Sequence, residues 1–332
     1  MLDTPTRRAW LRTSVLAAAA AWPALGRAEA ATWRCATGYR ADSFHGRNLS
    51  QWLAEWAAST SGAPRVELHA NNSLVPLAGI AAQVRAGSIE LGETIMSSLA
   101  AEMPVAGADS VPFVVRGYAD AKRLWRCQRP VVERAFAEAG LLPLYAVPWP
   151  PQGLYTQRPL ASLAELRGSR MRSYNRSSAR IAELLGCTPV EVPMADVGQA
   201  LAEGRIDCMI TSAVTGVENQ AWKHLKHYHP INAWIPKNIV FAHAAAFHRL
   251  EASARRALLS AAGAAEARGW AASEKAAADS VAELQRNGMR VDPLPASVLG
   301  DLRRLGERCS LEWLREVGPL ANQIFIPYYT EA

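Results

Sequence analysis

Three arginines stand within six positions in RGSRMRSYN, residues 167–175. A guanidinium offers five N–H donors in a planar fork, so its natural partner is a carboxylate or phosphate held by two parallel hydrogen bonds. If residues 169–174 form a strand, Arg170 and Arg172 share one face and Met171 takes the other. In α/β sheets ligands collect at the carboxyl ends of strands. Arg172 is nearer that end, beside Ser173, Tyr174 and Asn175, whereas Arg167 and Arg170 fall at the solvent-facing start. Taken alone, each arginine is more simply a solvated surface group.

Other chemistries lack their residues. The sequence has no GxSxG elbow, HExxH, P-loop or GxGxxG. His224, His227 and His229 crowd together in HLKHYH, but no carboxylate or cysteine stands in ligand spacing around them. An exposed loop is the plainer reading, and neither a metal nor a cofactor is expected.

The elements that must position the arginines are legible. RVELHANNSLVPLAGIAAQVRAGSIELGET and PVEVPMADVGQALAEGRIDCMIT each run strand, helix, glycine, strand. Gly87 and Gly204 sit where a helix ends on a left-handed residue. Each is a βαβ unit with parallel strands. Two such units far apart in the chain predict two α/β lobes of similar design. Leu49, Trp52, Leu53 and Trp56 form one apolar helical stripe closed by Gly62. The alanine-rich stretch from Leu250 to about Asn287 predicts one long helix. VPWPPQG, residues 147–153, is a stiff proline-dense link between the lobes.

The 332 residues are half apolar and one-fifth charged, as in an ordinary globular protein of about two domains. The first thirty read as a secretory signal: basic TRRAWLRT, an eleven-residue apolar run from Val15 to Leu25, and Ala28–Ala30 as a small-x-small cleavage site. Arg7–Arg8 leaves a twin-arginine (Tat) route and an ordinary Sec route both open. Export implies the periplasm or the outside of the cell. Cleavage removes four arginines and two acids, so net charge falls from +6 to +4. No long basic run argues for nucleic acid. The cysteines (35, 127, 187, 208 and 309) match no disulfide, zinc or haem spacing and read mainly as small buried residues, with no obligatory disulfide.

From LRGSRMRSYN through AELLGCTPVEVPMADVGQALAEGRID to WIPKNIVFAHAAAFHRL, the chain resembles the DctP-like substrate-binding proteins of TRAP (tripartite ATP-independent periplasmic) transporters. FHGRNLSQWLAEWAASTSG, AAQVRAGSIELGE and DSVPFVV fit the first lobe in order. The resemblance implies an α/β, two-lobed periplasmic-binding-protein-like fold, with strands crossing between lobes and a long spanning helix. Residues 31–149 with 238–277 would form one lobe. Residues 150–237 with 278–332, including C-terminal helices, would form the other. It also implies that Arg172 holds the carboxylate of a small organic acid, with small and large membrane permease subunits as partners.

Where relatives that bind polyhydroxylated acids carry Glu-Asn, this chain has Thr211 and Ser212. Trp149, Tyr155, Tyr174 and Trp234 stand around the inferred cleft, so the expected ligand has an apolar or aromatic body, such as a 2-oxo or 2-hydroxy acid. Glu93 reads as the first lobe's counterpart of Thr211. Gln152 and Asn238 follow the crossing segments, Asn72 lies in the next loop, and His45 and Asn48 open the first helix, all as candidate ligand groups. Two alternatives stay open: a receptor of the same fold serving a sensor, and a secreted α/β enzyme.

Overall fold

The computed structural model describes residues 32–330. The signal read over residues 1–30 lies outside the described residues. Strand β1 (Thr32–Thr37) leads into α1 (Phe44–Ser59), β2 (Arg65–His69), α2 (Ile80–Arg85) and β3 (Leu91–Ile95). Helix α3 (Tyr118–Glu138) and β4 (Leu141–Pro148) follow. The chain then builds β5 (Gln152–Thr156), β6 (Arg170–Ser173), α4 (Arg176–Leu184), β7 (Thr188–Glu191) and α5 (Val197–Ala202). Next come β8 (Cys208–Ser212), α6 (Ala213–Glu218) and β9 (His227–His229). It returns as β10 (Lys237–His243), α7 (Ala244–Arg249) and α8 (Ala252–Arg286), and finishes with β11 (Arg290–Val291), α9 (Ala296–Val317) and α10 (Pro319–Thr330).

Two sheets result, one per lobe. The first has the order β2-β1-β3-β10-β4, the second β11-β9-β5-β8-β6-β7. In each, the βαβ unit seen in the sequence encloses a third parallel strand: β1 lies between β2 and β3, and β6 between β7 and β8. Gly87 and Gly204 both adopt positive φ, 72° and 64°, as the helix-ending reading requires. The carboxyl ends of both parallel sets are where a ligand crevice belongs.

Helix α1 buries its predicted stripe of Leu49, Trp52, Leu53 and Trp56, and the Ser43 hydroxyl caps it by accepting from Gly46 N at 3.0 Å. That face packs on α8, where Trp56 Nε1 donates to the Ala254 carbonyl at 3.1 Å. Helix α8 has 35 residues, a length of roughly 50 Å at about 1.5 Å per residue. At Gly269 it meets β4 so closely that a Cβ there would lie 2.4 Å from a Val147 methyl. A bulkier residue would push the helix off the sheet. No helix among the described residues is long and apolar enough to cross a membrane.

Two crossing segments are bonded to each other. Trp149 N donates to Pro236 O at 2.7 Å, Gln152 N to Trp234 O at 3.0 Å, and Ala233 N to Gln152 O at 2.9 Å. The prolines of VPWPPQG restrict φ here. Where β10 begins, fully buried Lys237 meets fully buried Asp109: Nζ lies 3.2 Å from Oδ2, which also accepts from Lys237 N at 2.8 Å.

Candidate ligand-binding site

In the second lobe, β6 presents its two arginines very differently. Arg170, at the exposed start, grips Asp207 through Nε at 2.9 Å and Nη2 at 2.6 Å. These hydrogen bonds hold the Asp207 carboxyl below its usual range. Arg172 is only 3% exposed. Its Nε donates to Val192 O at 2.9 Å and its Nη1 to Thr211 Oγ1 at 3.4 Å, while its guanidinium carbon lies 4.7 Å from the Tyr174 ring. Among the described residues no carboxylate pairs with it, and three of its five N–H groups find no acceptor. Burial pulls this guanidinium down to about 10. A buried cation without an anion is costly to keep, and such groups concentrate at functional sites.

Around Arg172 a polar chain fixes the aromatic wall. Trp234 Nε1 donates to the Tyr174 hydroxyl at 2.9 Å, which donates to Gln152 Oε1 at 3.2 Å, and Gln152 Nε2 donates to Pro150 O at 2.7 Å. Trp234 is otherwise sealed in the second lobe's core. Two predicted residues act as helix caps. Asn175 Oδ1 accepts from Ser178 N at 2.8 Å on α4, and Ser212 Oγ from Thr215 N at 3.2 Å on α6. Asn175 also reaches the opposite lobe, donating from Nδ2 to Ser97 Oγ at 3.0 Å.

The first lobe's half centres on Glu93, 2% exposed in the middle of β3. Its Oε2 accepts from Thr37 Oγ1 at 2.6 Å, its Oε1 from Asn238 Nδ2 at 3.0 Å, and His45 Nδ1 lies 3.5 Å from Oε1. Burial alone would raise this carboxyl, but His45, Thr37 and Asn238 together hold it below its usual range. Burial lowers His45 as well, against the opposing pull of Glu93. Asn238 Oδ1 accepts from Trp149 Nε1 at 2.8 Å, and Trp149 packs on Tyr39 and His45 with ring centroids 5.2 and 4.4 Å away.

Tyr39 was not legible as a site residue. It is buried, hydrogen-bonded to Asn238, and within electrostatic range of Glu93 on its own lobe and of Arg172 and Tyr174 on the other. It also lines an open cavity of about 610 Å³ between residues 38–42 and 70–71 of the first lobe and 194–195 and 218–219 of the second. Only its place two residues beyond the end of β1 could have drawn attention to it.

Arg172, Tyr174, Gln152, Thr211 and Trp234 thus come together on one side, and Glu93, Asn238 and Trp149 on the other. Asn72 does not join them: it occupies a left-handed turn, φ 58°, with its carbonyl accepting from Leu77 N at 2.9 Å. Asn48 faces α8, donating to Ala265 O and accepting from Arg268 Nε. His229 is used internally, by Asp292 O at 2.8 Å and Thr156 Oγ1 at 3.3 Å, and no metal-binding cluster occurs among the described residues. The five cysteines are buried thiols. A larger groove of about 1120 Å³ runs between α3, β4 and α8, where Arg129 and Lys122 are paired with glutamates.

The two lobes also correct one expected equivalence. Glu90 Oε2 accepts from Arg34 N at 2.7 Å, and Asp207 Oδ2 from Arg170 N at 2.8 Å, the same contact in each lobe. Counting from these anchors makes Thr94, not Glu93, the counterpart of Thr211. Glu93 therefore leaves its strand on the opposite face, toward α1. By the same count Arg172 corresponds to buried Ala36, so the arginine is peculiar to the second lobe.

The sequence pattern of the bacterial extracellular solute-binding proteins, family 7 (DctP), matches residues 36–309. The chain belongs to that family. It is a family of solute-binding receptors rather than of enzymes, and the TRAP resemblance of the sequence agrees with it. DctP7 of Bordetella pertussis, an extracytoplasmic solute receptor binding pyroglutamic acid, is 34% identical, with a TM-score of 0.88 over 91% of this chain and 100% of that one. A marine-metagenome TRAP solute-binding protein specific for pyroglutamate is 33% identical, with a TM-score of 0.88 over 91% and 99%. A curated solute-binding protein of Albidiferax ferrireducens is 22% identical over 175 residues, 52% of this chain and 51% of the relative. The chain thus spans about half the length of that curated relative.

Proposed function

We propose that this protein is the periplasmic receptor of a TRAP transporter. It closes two lobes, residues 31–149 with 238–277 and 150–237 with 278–332, over a small monocarboxylate and presents it to the small and large permease subunits. It performs no chemistry on the ligand. The observation that carries this reading is Arg172, a buried guanidinium with no anionic partner among the described residues. A ligand carboxylate would take its free N–H groups in a fork.

The ligand body is compact. Trp234 and Tyr174 are tied to each other and to Gln152, so a bulky aromatic acid would have to displace them. A five-membered ring acid such as pyroglutamate, the ligand of the two solved relatives, suits this space better. A sugar acid would bury several hydroxyls, each costing about 1–3 kcal/mol if left unpaired. Mass spectrometry of small molecules released from the purified protein, followed by calorimetry, tests the reading. A released monocarboxylate with affinity lost in Arg172→Ala is expected. Selective binding of uronic acids would overturn the ligand class, and turnover of the acid would overturn the receptor role.

A further inference from the structure

Glu93 and Arg172 are both almost wholly buried, and neither has a full counter-ion. Arg172 faces no carboxylate, and among the described residues the only basic group within ion-pair distance of Glu93 is His45, at 3.5 Å. The two are not paired with one another. Tyr39 stands within electrostatic range of both and is hydrogen-bonded to Asn238, which itself donates to Glu93. The site therefore has a positive end and a negative end, with one tyrosine between them.

An ionised carboxylate has about four acceptor positions. Thr37 and Asn238 account for two at Glu93, and His45 Nδ1, 3.5 Å away, makes no hydrogen bond, which leaves acceptor capacity open on a group shielded from water. Resting on the carboxylate reading above, we infer that Glu93 is a specificity-determining residue: it admits acids that bring a hydrogen-bond donor, an N–H above all, and rejects acids with a second carboxylate. Attraction and exclusion come from the same charge. A donor takes up an open position, and an unpaired like charge in a dry site is the repulsive element that discrimination requires. His45 offers little relief from that repulsion, because burial lowers its hold on a proton.

The test uses intact protein and four probes: pyroglutamate, its lactone analogue with ring oxygen in place of N–H, proline, and glutarate. Wild-type protein should bind the lactone about ten- to hundredfold more weakly than the lactam, as expected for losing a hydrogen bond to a charged group, and should not measurably bind glutarate. Proline, which brings a cationic N–H donor, should bind more tightly than the lactone; a lactone that matches both proline and pyroglutamate would overturn the inference. Glu93→Gln should lose most of the lactam-over-lactone preference and gain glutarate binding, because the amide can donate as well as accept. Equal affinity of wild type for lactam and lactone would overturn the inference, and so would glutarate binding by wild type. The ligand comparison on wild type stands even if Glu93→Gln misfolds. Arg172→Ala separates the two readings: unchanged affinity for every acid there would overturn the carboxylate site itself, whatever Glu93 does.

Discussion

Arg170 and Arg172 stand two residues apart on one strand, yet Asp207 neutralises the first while the second lies buried with no carboxylate. Charge and residue type are identical. Depth along the strand separates them, because the start of β6 meets solvent and its end meets the opposite lobe.

That difference predicts unequal losses. Truncating a buried charge partner costs about 2–5 kcal/mol, so Arg172→Ala should weaken ligand binding roughly thirtyfold to several thousandfold. Arg172→Lys should recover little, since an ammonium lacks the planar fork. Arg170→Ala should bind nearly as wild type, because its half-exposed pair with Asp207 faces solvent and is screened there. Calorimetry on the three variants checks all of this; equal losses at both positions would misplace the site.

Without ligand, Arg172 should be a liability to the fold. Replacing buried charge by an apolar side chain of similar volume is often neutral or stabilising by about 1–4 kcal/mol. Arg172→Met should therefore match or exceed wild type in denaturant stability of the ligand-free protein while losing affinity. A clearly less stable variant would show that the Val192 and Thr211 contacts outweigh the desolvation.

Acid should destabilise the first lobe through two groups. His45 sits below its ordinary value when folded, so the unfolded chain takes the proton first, and stability falls as pH drops below about 6.5. Glu93 is also held low; its contribution is complete above about pH 4.3 and is lost as pH falls through the lower folded value. Melting temperature should decline from pH 7 to below pH 4, with His45→Gln flattening the part near neutrality and Glu93→Gln the part below about pH 4.3. Unchanged pH profiles in both variants would remove these groups from the account.

The Asn175–Ser97 hydrogen bond joins the lobes without touching Arg172. Ser97→Ala leaves the α4 cap intact and removes only this link, worth about 0.5–1.5 kcal/mol, or roughly two- to twelvefold in affinity. The loss should appear as faster ligand release in stopped-flow measurements. Normal release would mean the bond does not hold the closed form.

Breaking the Lys237–Asp109 pair should be far more severe. Lys237→Met leaves Asp109 buried, facing only the Lys237 backbone N–H and the Ser110 hydroxyl, at a cost of about 3–5 kcal/mol. Urea denaturation measures it directly; a loss below about 1 kcal/mol would show that the carboxyl accommodates itself by protonation.

Much of this was readable from local pattern. The helix stripe of α1, the two glycine-ended βαβ units and the alternation within RMRS depend on periodicity, and the structure keeps all three. Asn175 and Ser212 carried a local signal too, but the signal of a helix cap rather than that of a ligand group. Glu93, His45 and Tyr39 depend on tertiary placement: their partners Asn238 and Trp149 arrive from strands far along the chain. No spacing in the sequence encodes that meeting. The Glu93–Thr211 equivalence failed for a simpler reason, since a register error of one residue in a strand reverses the face.

Strand β10 lies between β3 and β4, yet its residues follow almost the whole second lobe in the chain. The lobe that leaves the ribosome first therefore stays unfinished until most of the second has been made. Until residue 243 is available, β3 and β4 have no common partner, and each presents an open edge on which a neighbouring chain could pair. Such long-range closure slows folding, and for as long as it is delayed those edges stay open to the wrong partner.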